Sequence, residues 1–139
     1  MFLDEFLETL ALHCRETRRR ICLIAGADLA HMGPRFGDSQ PVDREQLSRL
    51  ETADRDLLRT LENMDAQGFS AIITAEQDRR RICGYAPIYA LLRTCGARQA
   101  KLLRYGQSAE PDGSQVVSYA AMAFYGSAGT PNLSEKEIV

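Results

Sequence analysis

An uninterrupted apolar run, ICLIA at residues 21–25, is the feature that most constrains how this chain folds. Its apolar residues do not alternate with polar ones, which is typical of a strand that is covered on both faces. Strands of this kind occur in parallel sheets flanked by helices. The sequence therefore predicts a buried strand at residues 21–25 that ends at Gly26.

Helical periodicity surrounds this run. Residues 2–20 carry apolar side chains three and four positions apart, with acidic residues early and arginines late, as favoured by the helix dipole. A loop rich in Gly, Pro and Asp covers residues 32–41 and precedes a second, longer helix that closes at Gly68. The apolar stripe of that helix consists of Leu47, Leu50, Leu57, Leu61 and Met64.

The sequence pattern of the second half of the chain predicts further helices followed by two strands. Residues 69–73 are too short a run to distinguish helix from strand by periodicity, and we favour helix. Pro87 fits the first turn of a helix that stops near Gly96. Strand-like runs follow at residues 100–105 and 115–125. We therefore predict a small layered α/β domain at residues 1–126 and a loosely held tail at residues 127–139.

Composition excludes several classes of protein. The chain has 139 residues and a formal net charge of −2, so it lacks the positive excess of a general nucleic-acid binder. Its longest apolar stretch is far shorter than the roughly 20 residues of a membrane span, and its N-terminus lacks a basic signal-peptide region. Four cysteines without a C-x-x-C motif predict reduced thiols. We expect a cytoplasmic protein without nucleic-acid or membrane partners.

Three residues are candidates for chemistry. His31 follows Asp28 by three positions, just beyond the predicted strand, where open α/β sheets place their ligand crevices. Cys83 precedes the predicted helix of Pro87 as a loop thiol. A carboxylate, an imidazole and a thiolate suit a transition metal, and a Cys–His pair also suits nucleophilic catalysis. Spacing alone leaves both functions open. It also allows purely structural roles, in which Asp28 caps a helix, His31 makes a hydrogen bond and Cys83 is an inert thiol. His13 lies in a charged helical turn and is set aside.

Three sequence blocks carry a resemblance to a known family. They are AGADLAHMGPRFGD at residues 25–38, ICGYAPI at residues 82–88, and YGQS at residues 105–108 leading to VSYAAMA at residues 117–123. In this order they resemble the MEMO family, known in bacteria as protein B of the AmmeMemoRadiSam system. The resemblance covers nearly the whole chain but only the C-terminal half of a usual family member.

The resemblance implies a fold similar to that of the LigB-type extradiol dioxygenases and a non-haem iron or copper pocket. It places Asp28, His31 and Cys83 on the aspartate, histidine and cysteine of that pocket, whereas two further histidines belong to the half that this chain lacks. It also implies that the sheet needs a second half. We therefore expect a homo-oligomer or a complex with a separately encoded N-terminal half, and AMMECR1-like and radical S-adenosylmethionine proteins as further partners.

Two functions remain open at this point. The first is a redox-metal protein in which His31 and Cys83 are direct ligands and Asp28 is a ligand, an orienting group or a proton acceptor. The second is a non-catalytic module that binds a protein or peptide through the same crevice, with Arg35 beside it as an anion contact. The resemblance brings no established reaction, so enzyme status stays undecided.

Overall fold

A computed structural model describes residues 2–126 of the chain, which form four helices and a small three-stranded sheet within this range. The helices are α1 (Phe2–Glu16), α2 (Arg44–Glu62), α3 (Ala66–Ala75) and α4 (Tyr85–Thr94), together with a 3-10 turn at Pro34–Phe36. The strands are β1 (His31–Met32), β2 (Gln99–Ala109) and β3 (Val116–Tyr125). The α/β class predicted from the sequence is confirmed.

The sheet is antiparallel. Its strand order is β1-β3-β2, with β2 and β3 paired along almost their whole length and the short β1 on the other edge of β3. In β1, His31 lies opposite Val117 and Met32 opposite Val116. The two C-terminal strands predicted from the sequence are confirmed; β2 is longer than the predicted residues 100–105, and β3 matches the predicted residues 115–125 to within one residue. The expected parallel sheet is wrong, because the strands in the described residues follow one another as a hairpin plus a short antiparallel edge.

The apolar run at residues 21–25 is not a strand, which corrects the first prediction. Residues 21–30 have no assigned secondary structure, and Ile24 is 85% exposed while Ile21 is 45% exposed. Pairing with β3 begins only at Leu29, whose N–H donates to the carbonyl of Ser118 at 2.8 Å. Within residues 2–126 nothing supplies the neighbouring strand that the run would need, so Ile21 and Ile24 stay exposed while Leu23 and Ala25 are half-buried.

The long helix predicted up to Gly68 is two helices. Met64 adopts a φ of 56°, a left-handed conformation that breaks the helical path after α2. Asp65 then caps α3 by accepting a hydrogen bond from the N–H of Gly68 at 2.8 Å. A Cβ at position 68 would lie within 2.2 Å of the Asp65 carboxylate, so glycine permits the cap rather than ending the helix. The helix favoured for residues 69–73 is confirmed within α3.

The helix predicted at residues 2–20 is confirmed as α1, but it ends at Glu16. Leu7 and Ala11 form its buried face, and α1 packs against α4. Phe2 and Phe6 on the same apolar stripe are 87% and 57% exposed. The helix around Pro87 is confirmed as α4, with Pro87 in its first turn, where the missing N–H of proline costs no helical hydrogen bond.

The main core lies between α2, α3, α4 and the sheet. Phe69 of α3 and Leu57 of α2 are fully buried at its centre. A second, smaller cluster under β1 joins Ala30 and Val116 to Leu50 at the start of α2. The buried members of the main cluster are Leu29, Leu57, Leu58, Leu61, Phe69, Ile73, Ile82 and Leu92.

A buried ion pair connects α2 to the segment that follows α3. Asp54 is fully buried and accepts a hydrogen bond from the Arg80 guanidinium at 2.6 Å, and Arg80 itself is only 5% exposed. Tyr105 of β2 donates to the same carboxylate at 2.9 Å, and Ser118 of β3 is a further hydrogen-bond partner. Burial raises the pKa of Asp54, and these hydrogen bonds oppose the rise. One carboxylate thus joins a helix, a loop and two strands.

The remaining sequence predictions concern the chain ends and the membrane. The predicted tail at residues 127–139 lies outside the described residues, so the proposed domain boundary at residue 126 stays a prediction. No helix in the described part of the chain combines the length and apolar character needed to cross a bilayer. The four cysteines are free thiols.

We predict that breaking the buried ion pair destabilises the fold. Replacement Arg80→Met leaves the Asp54 carboxylate buried without its countercharge, so the free energy of unfolding should fall by about 3–5 kcal/mol. Replacement Arg59→Met is the control, because Arg59 pairs with Asp56 on the exposed face of α2 and exposed pairs contribute below about 1 kcal/mol. Urea denaturation measures both. Equal effects of the two replacements would contradict the role of the buried pair.

Candidate metal site

Asp28, His31 and Cys83, the three residues singled out from the sequence, lie together. One ligand atom from each residue lies within 4.8 Å of the others. Asp28 and Cys83 are exposed, and His31 is half-buried. His31 starts β1 rather than following a strand, while Cys83 lies in the turn before α4, as predicted. The cluster therefore sits at the surface, where the segment leading into the sheet meets the N-terminal end of a helix.

The imidazole of His31 is held by the loop that carries the buried arginine. The backbone N–H of His31 donates to the carbonyl of Arg80 at 2.8 Å, and the imidazole Nδ1 lies 3.0 Å from the carbonyl of Arg81. Because a carbonyl only accepts, Nδ1 is the donor in this contact, which leaves Nε2 as the ring nitrogen that can face a cation. The ring of Phe36 packs edge-on against the imidazole, with 5.1 Å between the ring centroids. His31 is thereby prepared to bind a cation through Nε2.

The side chain of Arg81 also holds His31 in place, through the backbone of His31 and through Asp38. Its guanidinium donates to the carbonyl of His31 at 3.1 Å and to the Asp38 carboxylate at 2.6 Å. Asp38 also accepts the N–H of Gly33 at 2.7 Å, and the Arg81 hydrogen bond lowers the pKa of Asp38. Arg81 itself adopts a left-handed φ of 52°, and both its carbonyl and its guanidinium contact His31. Asp38 thus holds the Arg81 side chain, and Arg81 in turn holds His31 through hydrogen bonds to its backbone and its ring.

Cys83 and Asp28 are brought together by a close backbone contact. The Cys83 thiol lies 3.6 Å from the backbone carbonyl of Asp28, and the N–H of Gly84 donates to the same carbonyl at 3.1 Å. A Cβ on residue 84 would lie 2.5 Å from that oxygen. Only glycine allows the turn before α4 to approach the Asp28 segment this closely, so the glycine of the ICGYAPI block has a structural role in the cluster.

The donor set fits a transition-metal ion. Carboxylate, imidazole and thiolate are the ligand types that iron, copper and zinc use. In a tetrahedral site with bonds of about 2.0–2.3 Å, neighbouring ligand atoms lie roughly 3.3–3.8 Å apart. Atoms already within 4.8 Å need only small rotations of the two exposed side chains to reach that spacing. Three ligands leave at least one coordination position for a further ligand or water.

The other two residues considered at the sequence level lie elsewhere. Arg35 is in the 3-10 turn, and its guanidinium donates to the side-chain oxygen of Gln115 at 3.2 Å, against the turn between β2 and β3. Whether Arg35 contacts an anion stays a prediction. His13 lies in the last turn of α1 and is not part of the cluster.

Sequence reasoning missed the residues that position His31. Arg80 and Arg81 belong to the pentapeptide RRRIC, which occurs at residues 18–22 and again at residues 79–83. The first copy is largely exposed, whereas in the second copy Arg80 and Ile82 are buried. The repeated pentapeptide by itself therefore gave no indication of a role. The second copy differs from the first in the sequence only because its Ile82 and Cys83 belong to the ICGYAPI block.

Comparison with known proteins identifies the family to which the chain is similar. The model of a family described as Memo-like protein matches residues 3–123. A MEMO1 family protein of Methanococcoides burtonii is 30% identical over 117 residues, which cover 78% of this chain and 37% of that protein. A MEMO1 family protein of Methanocaldococcus jannaschii is 32% identical over 117 residues, covering 81% of this chain and 36% of that protein.

A third relative has a similar level of identity. The MEMO1 family protein of Aquifex aeolicus is 31% identical over 111 residues, covering 74% of this chain and 27% of that protein. The chain thus spans between about a quarter and somewhat over a third of the length of these three curated relatives.

We predict that Gly84→Ala disrupts the contact between the turn and the Asp28 segment. The added methyl group would overlap the Asp28 carbonyl, so the free energy of unfolding should fall by about 1–3 kcal/mol, as for other overpacked sites. Gly26→Ala is the matched control, because a Cβ there meets nothing within 4 Å and should change stability by less than about 0.5 kcal/mol. Urea denaturation compares them. An unchanged Gly84→Ala variant would contradict the close approach.

Proposed function

Because the chain belongs to the Memo-like protein family, we propose that it contributes three ligands, Asp28, His31 and Cys83, to a non-haem iron or copper site that is completed by further polypeptide. The observation that carries the proposal is the convergence of the three ligand atoms within 4.8 Å. A bound ion of this type would supply Lewis-acid and one-electron redox chemistry.

Each ligand has a distinct role in the proposed site. His31 offers Nε2 in a fixed direction, because its Nδ1–H is engaged by the Arg81 carbonyl. Cys83 offers a sulfur that selects soft metals, and binding as thiolate releases the thiol proton. Asp28 offers a carboxylate that balances the charge of the ion and can accept a proton from a bound molecule.

Further polypeptide is part of the proposal for two reasons. Asp28 and Cys83 are exposed and His31 is half-buried, so the cluster is open to solvent. The chain also covers only 36–37% of the two archaeal relatives described above. A fourth ligand and a cover that excludes water would come from the remainder of the family's fold.

A second candidate function is a non-catalytic binding module for a protein or peptide. It is favoured by an apolar cleft of about 380 Å³ that lies between residues 22–29, α2, α4 and β3. Such clefts commonly bind apolar groups of a partner. On this alternative the cluster would hold no metal, and replacing its side chains would leave metal content at background.

We predict that metal affinity depends on the cluster. After equilibrium dialysis under anaerobic conditions against buffered Fe²⁺ or Cu⁺, plasma mass spectrometry should find about one ion per chain at saturation. Replacements His31→Ala and Cys83→Ser should each weaken binding more than about tenfold, and Arg81→Ala should weaken it about 10–100-fold by releasing His31.

Matched controls come from the same residue types outside the cluster. His13→Ala and Cys22→Ser should retain the affinity of the unaltered chain, since both residues are exposed and neither belongs to the cluster. Background metal in every sample would reject the metal site in favour of the binding module. Equal losses in the controls and the cluster variants would show that the metal binds elsewhere.

A further inference from the structure

We propose that a second cleft, the polar cleft, binds a small aliphatic carboxylate and that Arg79 recognises the charge of this ligand. The polar cleft has a volume of about 510 Å³ and lies between α2, residues 38–42 and the loop after α3. Met32 lines it, whereas none of the three residues of the metal cluster does. Successive side chains of a strand point to opposite faces, so the polar cleft lies on the face of β1 opposite the imidazole of His31. The proposal does not depend on metal binding.

The acidic side chains of the polar cleft are already engaged within the chain. Asp38 accepts a hydrogen bond on each carboxylate oxygen, from Arg81 at 2.6 Å and from the N–H of Gly33 at 2.7 Å. Both oxygens of Glu76 accept from Arg80, at 2.7 Å and 3.0 Å. Because each of these acids is paired with an arginine and each oxygen has a donor, the polar cleft is not arranged to attract a cation.

The basic side chains of the polar cleft differ from one another in their partners. Arg80 is only 5% exposed and donates to two carboxylates. Arg49 pairs with Glu45 on the exposed face of α2. Arg79 is exposed, and its guanidinium has neither a hydrogen-bond partner nor an ion-pair partner within residues 2–126. Arg79 therefore supplies the positive charge of the lining that the described part of the chain does not neutralise.

A single guanidinium without a partner matches a ligand with one negative charge. A carboxylate carries one charge and can accept two parallel hydrogen bonds from a guanidinium. A phosphate monoester carries about 1.5–2 negative charges at neutral pH, more than Arg79 alone balances. The side-chain amide of Gln40 in the lining also has no partner among the described residues, so it is available to donate to the same group. The lining thus favours a monocarboxylate.

The buried side of the polar cleft is aliphatic. Met32, Val42, Leu50 and Ala53 contribute to it, and Val42 and Leu50 are only 7% and 3% exposed. Among the described residues that line the polar cleft there is no aromatic side chain on which a flat ring could stack. Its volume lies within the range of roughly 300–1,000 Å³ that is usual for small-molecule sites. An aliphatic chain attached to the carboxylate would bury its apolar surface against these side chains.

The test titrates sodium hexanoate into protein that has been freed of metal, in a buffer without other carboxylates or phosphate, and follows the backbone amide signals by NMR. Signals of residues that line the polar cleft should shift with saturable one-to-one binding. Arg79→Gln should weaken binding more than about tenfold, because it removes the charge and the paired donors. Hexanol, which has the same chain without a charge, should bind more than about tenfold more weakly than hexanoate.

Arg18→Gln is the matched control, because Arg18 is the residue equivalent to Arg79 in the first copy of the RRRIC pentapeptide. Arg18 is exposed and lies outside the polar cleft, so this variant should bind hexanoate as the unaltered chain does. Both variants replace exposed side chains and should keep the thermal transition of the unaltered chain.

Four results would overturn the proposal. They are the absence of saturable binding, signal shifts confined to the apolar cleft of about 380 Å³, equal affinities for hexanoate and hexanol, and equal effects of Arg79→Gln and Arg18→Gln. Tighter binding of inorganic phosphate than of hexanoate would overturn it too, because the polar cleft would then select a different class of anion.

Discussion

The buried carboxylate of Asp54 is the contact on which the other features of this structure depend. It holds Arg80 in the interior at 2.6 Å and accepts a hydrogen bond from Tyr105 of the sheet. Once Arg80 is fixed, its carbonyl binds the N–H of His31, and the next residue, Arg81, engages the imidazole and Asp38. A charge pair in the core thus determines the position of a ligand at the surface. Such pairs are costly to bury, so they specify an arrangement more than they stabilise it.

Local patterns in the sequence predicted the helices well and the sheet partly. The stripes of α1, α2 and α4 and the two C-terminal strands follow from side-chain periodicity, which reports local burial. The apolar run at residues 21–25 led to a wrong strand prediction. The pattern of apolar residues shows which side chains favour burial, but it does not show whether a neighbouring strand is present to cover them. Ile24 has strand character and is 85% exposed, since no neighbouring strand lies within the described residues. Strand pairing is a long-range property that a local pattern does not contain.

The three residues of the candidate site were predicted from the sequence, but the residues that hold them in place were not. Asp28, His31 and Cys83 were recognisable from residue type and from the resemblance of their surrounding blocks. Arg81 was not recognisable, because its contribution comes from a left-handed φ of 52° and from its backbone carbonyl. Neither feature can be inferred from the residue type. The same holds for Gly84, whose importance lies in the 2.5 Å approach of the Asp28 oxygen to its missing Cβ. Backbone geometry of this sort becomes visible only in three dimensions.

The most direct test of the three-residue metal site is X-ray absorption spectroscopy of the chain loaded with Zn²⁺, a redox-silent probe that does not oxidise the thiol. If Asp28, His31 and Cys83 bind the ion together, the spectrum should show one sulfur neighbour at about 2.3 Å with nitrogen and oxygen neighbours at about 2.0–2.2 Å. The sulfur contribution should disappear in Cys83→Ser and persist in Cys22→Ser. A first shell of nitrogen and oxygen alone, or a sulfur neighbour that survives in Cys83→Ser, would contradict the assignment of Asp28, His31 and Cys83 as one metal-binding cluster.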